Sequence, residues 1–162
     1  RMFPRWIENS IYGAGSSPVT DGKAVYLTVD GEYEAGKQSR VIAHSARTGH
    51  ELWTKTPGFA RNGYVTPIIY HDGPIKLLLT ITSKTLVGYD AADGAVAWRL
   101  TVPVHQPVPS PIVENGRLYV TGGISGGHTA AYKLRPDPAR VRAPSPHSSR
   151  RGITAVAAQS AQ

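Results

Sequence analysis

The chain of 162 residues contains no cysteine, one methionine and two phenylalanines. The lack of cysteine excludes disulfide bridges, thiolate nucleophiles and thiolate metal sites. No run of about 18 apolar residues occurs, so the sequence predicts no membrane-spanning helix. Its first residues also lack a basic segment followed by an apolar stretch, and no signal peptide is visible. These absences restrict the chemistry but fit any cellular compartment.

Positive charge is concentrated towards the C-terminal end. The formal net charge is +7, and residues 135–162 contribute five arginines against a single acidic residue, Asp137. The other basic residues are not clustered with aromatic side chains, as a nucleic-acid-binding surface would require. We therefore expect no nucleic-acid partner.

What the chain does contain is an internal repeat. An eleven-residue pattern at 43–53 returns at 88–98 and ends each time in a tryptophan that follows a glycine-containing turn. The stretches that open three successive units share a proline, a β-branched run and an Asp-Gly or Asn-Gly pair, which is typical of a tight hairpin; they are 16–27, 65–73 and 109–120. Four short strands in each unit of about 45 residues predict the blades of a β-propeller.

The predicted fold class is therefore all-β, a partial β-propeller with about two and a half four-stranded antiparallel blades in residues 1–134. Trp6 lies 47 residues before Trp53 and would mark the last strand of a preceding blade. The repeat is lost after Leu134, and residues 135–162 are rich in proline, serine and arginine, a composition that buries too little apolar surface to fold. We expect a disordered tail there. The whole chain is interpreted as a fragment of a larger propeller, in which the tail replaces the continuation.

The repeat resembles the tryptophan-docking motif of the quinoprotein-like β-propellers, Ala-x-Asp-x-x-Thr-Gly-x-x-x-Trp. The resemblance covers about residues 6–134 and is strongest in 47–53 and 89–94, although Ser45 replaces the motif's Asp and Asp93 its Thr. In physical terms, the indole would pack between neighbouring blades and bury a large flat surface. Ala43 and Gly88 would leave room for the two indoles, and Asp90 would accept backbone N–H groups in its turn.

This superfamily includes pyrroloquinoline-quinone alcohol dehydrogenases and the propeller lipoprotein of the outer-membrane barrel-assembly machinery. The chain looks most similar to the cofactor-free bacterial members. That resemblance implies a non-catalytic binding scaffold in a periplasmic or secreted parent, with a protein or polymer partner. Further blades or self-association would be needed to close the propeller.

The alternative is a fragment of a quinone-dependent alcohol dehydrogenase. Family members that use the quinone have an adjacent cysteine pair and a Ca²⁺ site near a catalytic aspartate, and the chain shows no matching set. We predict no catalytic, cofactor-binding or metal-binding residues and no cofactor.

Three other features have simpler explanations than a site. The alternating carboxylates of 30–34 lack the EF-hand pattern and are interpreted as a polar insertion. The glycines of 122–127 are followed by neither a helix nor a Gly-Lys-Ser/Thr ending, which excludes a phosphate loop. No two histidines share a metal-ligand spacing within one element. His44 is expected to be half-buried, and His105 and His128 would need to meet at one rim of the propeller to form a site.

Overall fold

The structure is a computed structural model, and it describes residues 15–29, 39–57, 64–82, 84–104, 107–122, 128–134 and 153–154. The candidate Ca²⁺ loop at 30–34, Trp6 and His105 lie outside these residues. Strands and turns make up the described parts, which contain no helix able to cross a membrane.

The described residues form twelve strands. They are β1 (Val19–Thr20), β2 (Ala24–Val29), β3 (Arg40–Ser45), β4 (Glu51–Lys55), β5 (Ile68–Asp72), β6 (Ile75–Thr82), β7 (Thr85–Asp90), β8 (Val96–Thr101), β9 (Ile112–Glu114), β10 (Arg117–Gly122), β11 (His128–Leu134) and β12 (Ile153–Thr154).

The strands form three separate four-stranded antiparallel sheets, and in each sheet the strands lie in the order of the sequence. We name the sheets blade 1 (β1–β4), blade 2 (β5–β8) and blade 3 (β9–β12). Four-stranded antiparallel sheets repeated along a chain are the blades of a propeller. The predicted fold class, an all-β partial β-propeller, is thus confirmed.

Burial differs between β6 of the middle blade and β10 of the last blade, and the pattern of apolar residues in each strand matches its burial. In β6 the consecutive residues Leu77, Leu78 and Leu79 are all fully buried, because blade 2 is covered on both faces. In β10 burial alternates, with Leu118 buried and Tyr119 exposed on the opposite face. Since side chains alternate between the two faces of a strand, a continuous apolar run indicates cover on both faces and alternation indicates cover on one.

The first hairpin of each blade turns tightly, but not always at the predicted pair. In blade 3, Asn115 and Gly116 both have positive φ, 50° and 68°, as an Asn-Gly turn with two left-handed residues requires. In blade 2, Asp72 instead pairs with Ile75 within the ladder, so that Gly73 and Pro74 form the two-residue loop. Proline suits this position because its nitrogen need not donate to the ladder.

The predicted tail contributes one short element. Ile153 pairs with Leu134 and Thr154 with Lys133, so β12 occupies the place of a fourth strand in blade 3. The sequence predicted disorder here from the proline-, serine- and arginine-rich composition of 135–162, and for Ile153 and Thr154 that prediction is wrong, because they pair with the edge of β11. The rest of 135–162 lies outside the described residues, and the domain boundary at Leu134 stays a prediction.

Two apolar clusters lie between the blades. The first seam, between blades 1 and 2, contains Ala24, Tyr26, Val41, Ala43, Trp53, Leu78, Val87, Tyr89 and Ala91. The second seam, between blades 2 and 3, contains Val65, Leu77, Leu79, Ile81, Leu86, Val102, Val104, Leu118, Val120, Ala130, Tyr132 and Leu134, with Trp98 packed against it. Burial of these faces holds consecutive blades together.

Candidate functional site

The first seam brings a carboxylate, a phenol and an amine together. Asp21 directly follows β1 of blade 1, Tyr26 lies on β2, and Lys76 lies on β6 of blade 2. The Tyr26 hydroxyl donates to Asp21 Oδ2 at 3.3 Å, and Lys76 Nζ contacts the same oxygen at 2.5 Å. This is the cluster in the described residues that most resembles the acid, base and proton-donor groups of a catalytic site.

The other oxygen of Asp21 is used by the backbone. The N–H groups of Lys23 and Ala24 donate to Asp21 Oδ1 at 2.9 and 2.8 Å, which fixes the turn between β1 and β2. With four donors around two oxygens and a side chain that is only 8% exposed, the carboxylate has little capacity left for a substrate.

The aromatic centre of the seam is Trp53, which is 7% exposed. Its ring lies between Tyr26, with centroids 6.0 Å apart, and Tyr89 of blade 2, at 6.4 Å and nearly parallel. The Trp53 indole N–H donates to the carbonyl of Ala91 at 3.1 Å, and the Tyr26 hydroxyl approaches the same carbonyl at 3.3 Å. The tryptophan therefore docks on the next blade by stacking and by one directional hydrogen bond.

Small residues make room for the indoles, as predicted. Trp53 lies opposite Ala43 and Trp98 opposite Gly88 in the ladders. A Cβ atom on Gly88 would be 2.6 Å from the Trp98 ring. Gly94 of blade 2 has φ of 70°, and a Cβ there would be 2.7 Å from Trp53 Cε3. Gly94 thus combines left-handed backbone with direct contact to the ring of the neighbouring blade.

In blades 1 and 2, the turn between the third and fourth strands is closed by a side chain that accepts a backbone N–H of the same turn. Asp90 Oδ1 accepts the N–H of Ala92 at 2.9 Å, which confirms the role predicted for this residue. In blade 1 the substituted residue Ser45 accepts the N–H of Thr48 through its hydroxyl at 3.2 Å. Serine therefore performs the turn-closing function of aspartate with a longer hydrogen bond.

Electrostatics in the first seam disfavour acid–base chemistry at neutral pH. Partial burial would raise the pKa of Asp21, but the hydrogen bonds from Lys76 and from the backbone of Ala24 and Lys23 outweigh it and hold that pKa well below its usual range. Burial, followed by the charge and hydrogen bond of Asp21, raises the pKa of Tyr26 to about 12. An efficient general acid or base needs a pKa near the working pH. Here the carboxylate stays charged and the phenol stays protonated.

The four histidines that the structure describes do not converge on a site. His44 is half-buried, as predicted, and its Nδ1 lies 3.1 Å from the carbonyl of Gly49 in its own turn. His50, His71 and His128 are exposed. Within the described ranges no group of three His, Asp or Glu side chains is placed to hold a metal ion.

Sequence reasoning missed the link between Asp21 and Lys76, which are 55 residues apart. Asp21 was recognised only as part of a turn dipeptide. A signal for the contact did exist, because Lys76 interrupts the apolar run of β6 with a charged residue that needs a partner.

Sequential four-stranded blades joined by docked tryptophans define a protein of the quinoprotein-like β-propeller class. The family model described as "Outer membrane protein assembly factor BamB" matches residues 37–135. Because this match covers more than half of the chain, the chain belongs to that family. No curated protein matches the chain significantly.

Solved structures show the same fold at low identity. The quinohemoprotein alcohol dehydrogenase from Comamonas testosteroni superposes with a TM-score of 0.56 and 19% identity, over 73% of this chain and 19% of that protein. BamB from Moraxella catarrhalis superposes with a TM-score of 0.50 and 17% identity, over 76% of this chain and 40% of that protein. The chain thus spans between a fifth and two fifths of the length of these structures.

Proposed function

We propose that this chain is part of a larger β-propeller that acts as a non-catalytic binding scaffold for a protein partner. The observation that supports the proposal is the state of the polar groups in the first seam. Each oxygen of Asp21 is occupied by donors that hold a turn or a neighbouring blade, so the most enzyme-like cluster of the described residues serves to fix the blades.

A protein partner is favoured by the family and by the surface. The family description names an assembly factor for outer membrane proteins, and assembly of proteins requires contact with them. We therefore assign the parent protein to the envelope or to a secreted setting. Val108 precedes β9 on the connection from blade 2 to blade 3 and is 59% exposed, and exposed apolar side chains on connecting loops suit a protein contact.

The antiparallel order of the strands assigns the loops to two rims. Val108 lies on the rim where one blade leads to the next, whereas Ala92 lies on the opposite rim, in the turn between β7 and β8. Both residues are exposed. We propose that the connecting rim, marked by Val108, faces the partner.

The experiment is site-specific photo-cross-linking of the full chain, exported to the envelope of a Gram-negative host. A photoreactive amino acid replaces Val108 in one variant and Ala92 in a matched control. We expect a discrete cross-linked protein from the Val108 position and none from Ala92. Equal labelling from both rims, or none from either, would contradict the proposed surface.

The rival function is that of a quinone-dependent dehydrogenase fragment, and the alcohol dehydrogenase fold match motivates the control. Purified chain is incubated with Ca²⁺, pyrroloquinoline quinone and an alcohol in a dye-linked assay. We expect no dye reduction above that of a sample without protein. Quinone-dependent dye reduction that follows the chain through purification would overturn the scaffold proposal in favour of the enzyme.

A further inference from the structure

The glycines of the tight turns differ in whether their backbone N–H is engaged. Gly22 donates to the Thr20 hydroxyl at 3.1 Å. Gly49 and Gly94 each donate to a main-chain carbonyl at 2.8 Å. Gly116, in the turn between β9 and β10, donates to no acceptor among the described residues. Of these four glycines, Gly116 is therefore the one whose nitrogen can react without first giving up a hydrogen bond.

The side chain before Gly116 is unengaged as well. Asn115 is exposed, and no described residue forms a hydrogen bond with its amide. The carboxylates that precede two of the other glycines are held instead. Four donors surround Asp21, and Asp93 Oδ1 accepts the N–H of Ala95 at 2.8 Å. Of these three side chains, that of Asn115 is the one that can turn back onto the following nitrogen without breaking a contact.

Little in the turn opposes that approach. Gly116 is exposed, and no atom lies within 4 Å of a Cβ built on it. The side chain of Asn115 reaches the next nitrogen only when the tight turn relaxes, so the hairpin must open locally. The strand β9 lies at the edge of blade 3, has three residues and begins with Ile112, which is 63% exposed. A short edge strand that buries little apolar surface opens at a low cost in free energy.

The charges around the turn do not oppose an anionic nitrogen. Glu114 precedes the pair, Arg117 follows it, and Lys133 lies opposite Arg117 in the ladder. One negative and two positive charges therefore surround the turn. Positive charge nearby favours loss of the N–H proton, although solvent weakens the effect because all three side chains are exposed.

We propose that Asn115 is a site of spontaneous deamidation. The Gly116 nitrogen attacks Cγ of Asn115 and closes a succinimide ring, while the bond from Cγ to Nδ2 breaks and the nitrogen's proton leaves with the amide group as ammonia. Water then adds to the ring. Opening at the side-chain carbonyl gives aspartate, and opening at the main-chain carbonyl gives isoaspartate. The sequence of steps consumes water and needs no oxidant, metal or cofactor.

The isoaspartate product changes blade 3 through its backbone. Isoaspartate adds a methylene group to the main chain, so a two-residue loop no longer fits the pairing of Glu114 with Arg117. The same change displaces the Gly116 carbonyl, which accepts the N–H of Leu134 at 2.8 Å. We expect β9 to separate from β10 while blades 1 and 2 keep their pairing. The inference concerns this turn alone, so it stands or falls separately from the scaffold function.

The test is peptide mapping of the full chain after incubation at mildly alkaline pH, in buffer and in urea. Trypsin releases Asn115 in the peptide 100–117, apart from Asn62–Gly63, the other Asn-Gly pair of the sequence. Mass spectrometry detects the change from amide to acid, and an isoaspartyl methyltransferase labels isoaspartate. We expect Asn115 to convert in the folded chain at most about tenfold more slowly than in urea. Asp21, which also precedes a glycine, is expected to form isoaspartate only in urea.

Two outcomes would overturn the proposal. Protection of Asn115 by more than about tenfold in the folded chain would show that its turn holds as firmly as the engaged ones. Isoaspartate at both Asn115 and Asp21 in the folded chain would show that the hydrogen bonds do not select the site. Asn115→Gln is the matched variant and is expected to stay unmodified, because the longer side chain closes a ring far more slowly.

A second measurement separates the backbone change from the charge change. The isoaspartate form is purified by ion exchange and compared with the Asn115→Asp variant, which has the same charge and an ordinary main chain. We expect a lower urea unfolding midpoint for the isoaspartate form. Equal midpoints would refute the proposed loss of pairing between β9 and β10.

Discussion

The two seams share a backbone arrangement and differ in chemistry. The N–H of Ala91 bonds to the Lys76 carbonyl, and the N–H of Leu134 bonds to that of Gly116 at 2.8 Å, which makes these positions equivalent in successive blades. By the same equivalence, Lys76 in the first seam corresponds to Gly116 in the second, and the ion pair with Asp21 has no counterpart there. The first seam is aromatic and hydrogen-bonded, and the second is mainly aliphatic.

The tryptophans follow this division. Trp53 is buried between two tyrosine rings and donates to a carbonyl, whereas Trp98 is half-buried against the aliphatic cluster and donates to no described residue. The comparison shows that the repeat preserves the main-chain hydrogen bonds of each blade, whereas the side chains at the two seams differ. Directional bonds fix how blade 1 meets blade 2, and apolar area is the main contact that the described residues show between blades 2 and 3.

The largest test of this contrast truncates the two tryptophans. Trp53→Ala removes a buried ring and the shorter of the two hydrogen bonds to the Ala91 carbonyl, and we expect a loss of about 3–5 kcal/mol in the free energy of unfolding. Trp98→Ala removes a half-buried ring, with an expected loss of about 1–3 kcal/mol. Urea unfolding followed by circular dichroism measures both. Equal losses would show that the two seams depend on the indole alike.

The next test adds a methyl group at the contact between Gly94 and the Trp53 ring. Gly94→Ala adds a methyl group 2.7 Å from the ring to a residue with positive φ, and Gly22→Ala adds one in open space. We expect about 2–4 kcal/mol for Gly94 and about 1–2 kcal/mol for Gly22, the difference being the steric clash. Thermal unfolding of the two variants side by side checks this. A Gly94 variant no less stable than the Gly22 variant would mean that the indole can move away freely.

A smaller effect is expected from the ion pair. Asp21→Asn keeps an acceptor for the turn but removes the charge that Lys76 neutralises, with an expected cost of about 1–2 kcal/mol at pH 7. Because the folded-state pKa of Asp21 lies below its ordinary value of 3.8, this contribution is fully present above pH 4 and is lost as the pH falls further. Urea unfolding of the native chain and the variant at pH 7 and pH 3 measures it.

Lys76→Met provides the matched control. If the pair acts as a unit, the two substitutions cost less together than the sum of their separate effects. Strict additivity, or a gap between native chain and Asp21 variant that stays constant down to pH 3, would show that the first seam does not rely on this charge pair.

The smallest effect concerns the phenol of Tyr26. Tyr26→Phe removes two long hydrogen bonds of 3.3 Å, and we expect a loss of about 1 kcal/mol at pH 7. The pKa of Tyr26 is raised from 10.0 to about 12, so its contribution is present below pH 10 and is lost as the pH rises through 12. The native chain should therefore destabilise more steeply than Tyr26→Phe between pH 10 and 12. Parallel curves over that interval would remove Tyr26 from the seam's polar network.

The sequence predicted the blades well because the repeat encodes local pairing. The four strands of blades 1 and 2, the Asn115–Gly116 turn and the small residue opposite each tryptophan depend on neighbours within one unit, and they are confirmed. The shift of the blade 2 turn to Gly73 and Pro74 was missed, because the strand before it is one residue longer than the Asp-Gly pair suggests. Turn position depends on the register of the ladder as well as on the dipeptide.

The seam's polar contacts were beyond sequence reasoning for a different reason. Asp21 and Lys76 meet only after two complete sheets pack together, so the charge on Lys76 indicates that a partner is needed without indicating which residue it is. The bulges between Ala43 and His44 and between Gly88 and Tyr89 are of the same kind. They occur at equivalent places in the two blades, directly after the residue that pairs with each tryptophan.

Because the strands of each sheet lie in the order of the sequence, the progress of synthesis determines when each contact can form. Blade 1 has all its strand partners as soon as Lys55 has emerged, but the acceptor of Trp53 lies 38 residues further along the chain. At a synthesis rate of about 5–20 residues per second, roughly 2–8 s pass between the synthesis of Trp53 and that of Ala91, whose carbonyl accepts the indole N–H. During that interval the nascent chain displays an unshielded aromatic surface, which is the moment when a chaperone or a wrong partner competes with the next blade.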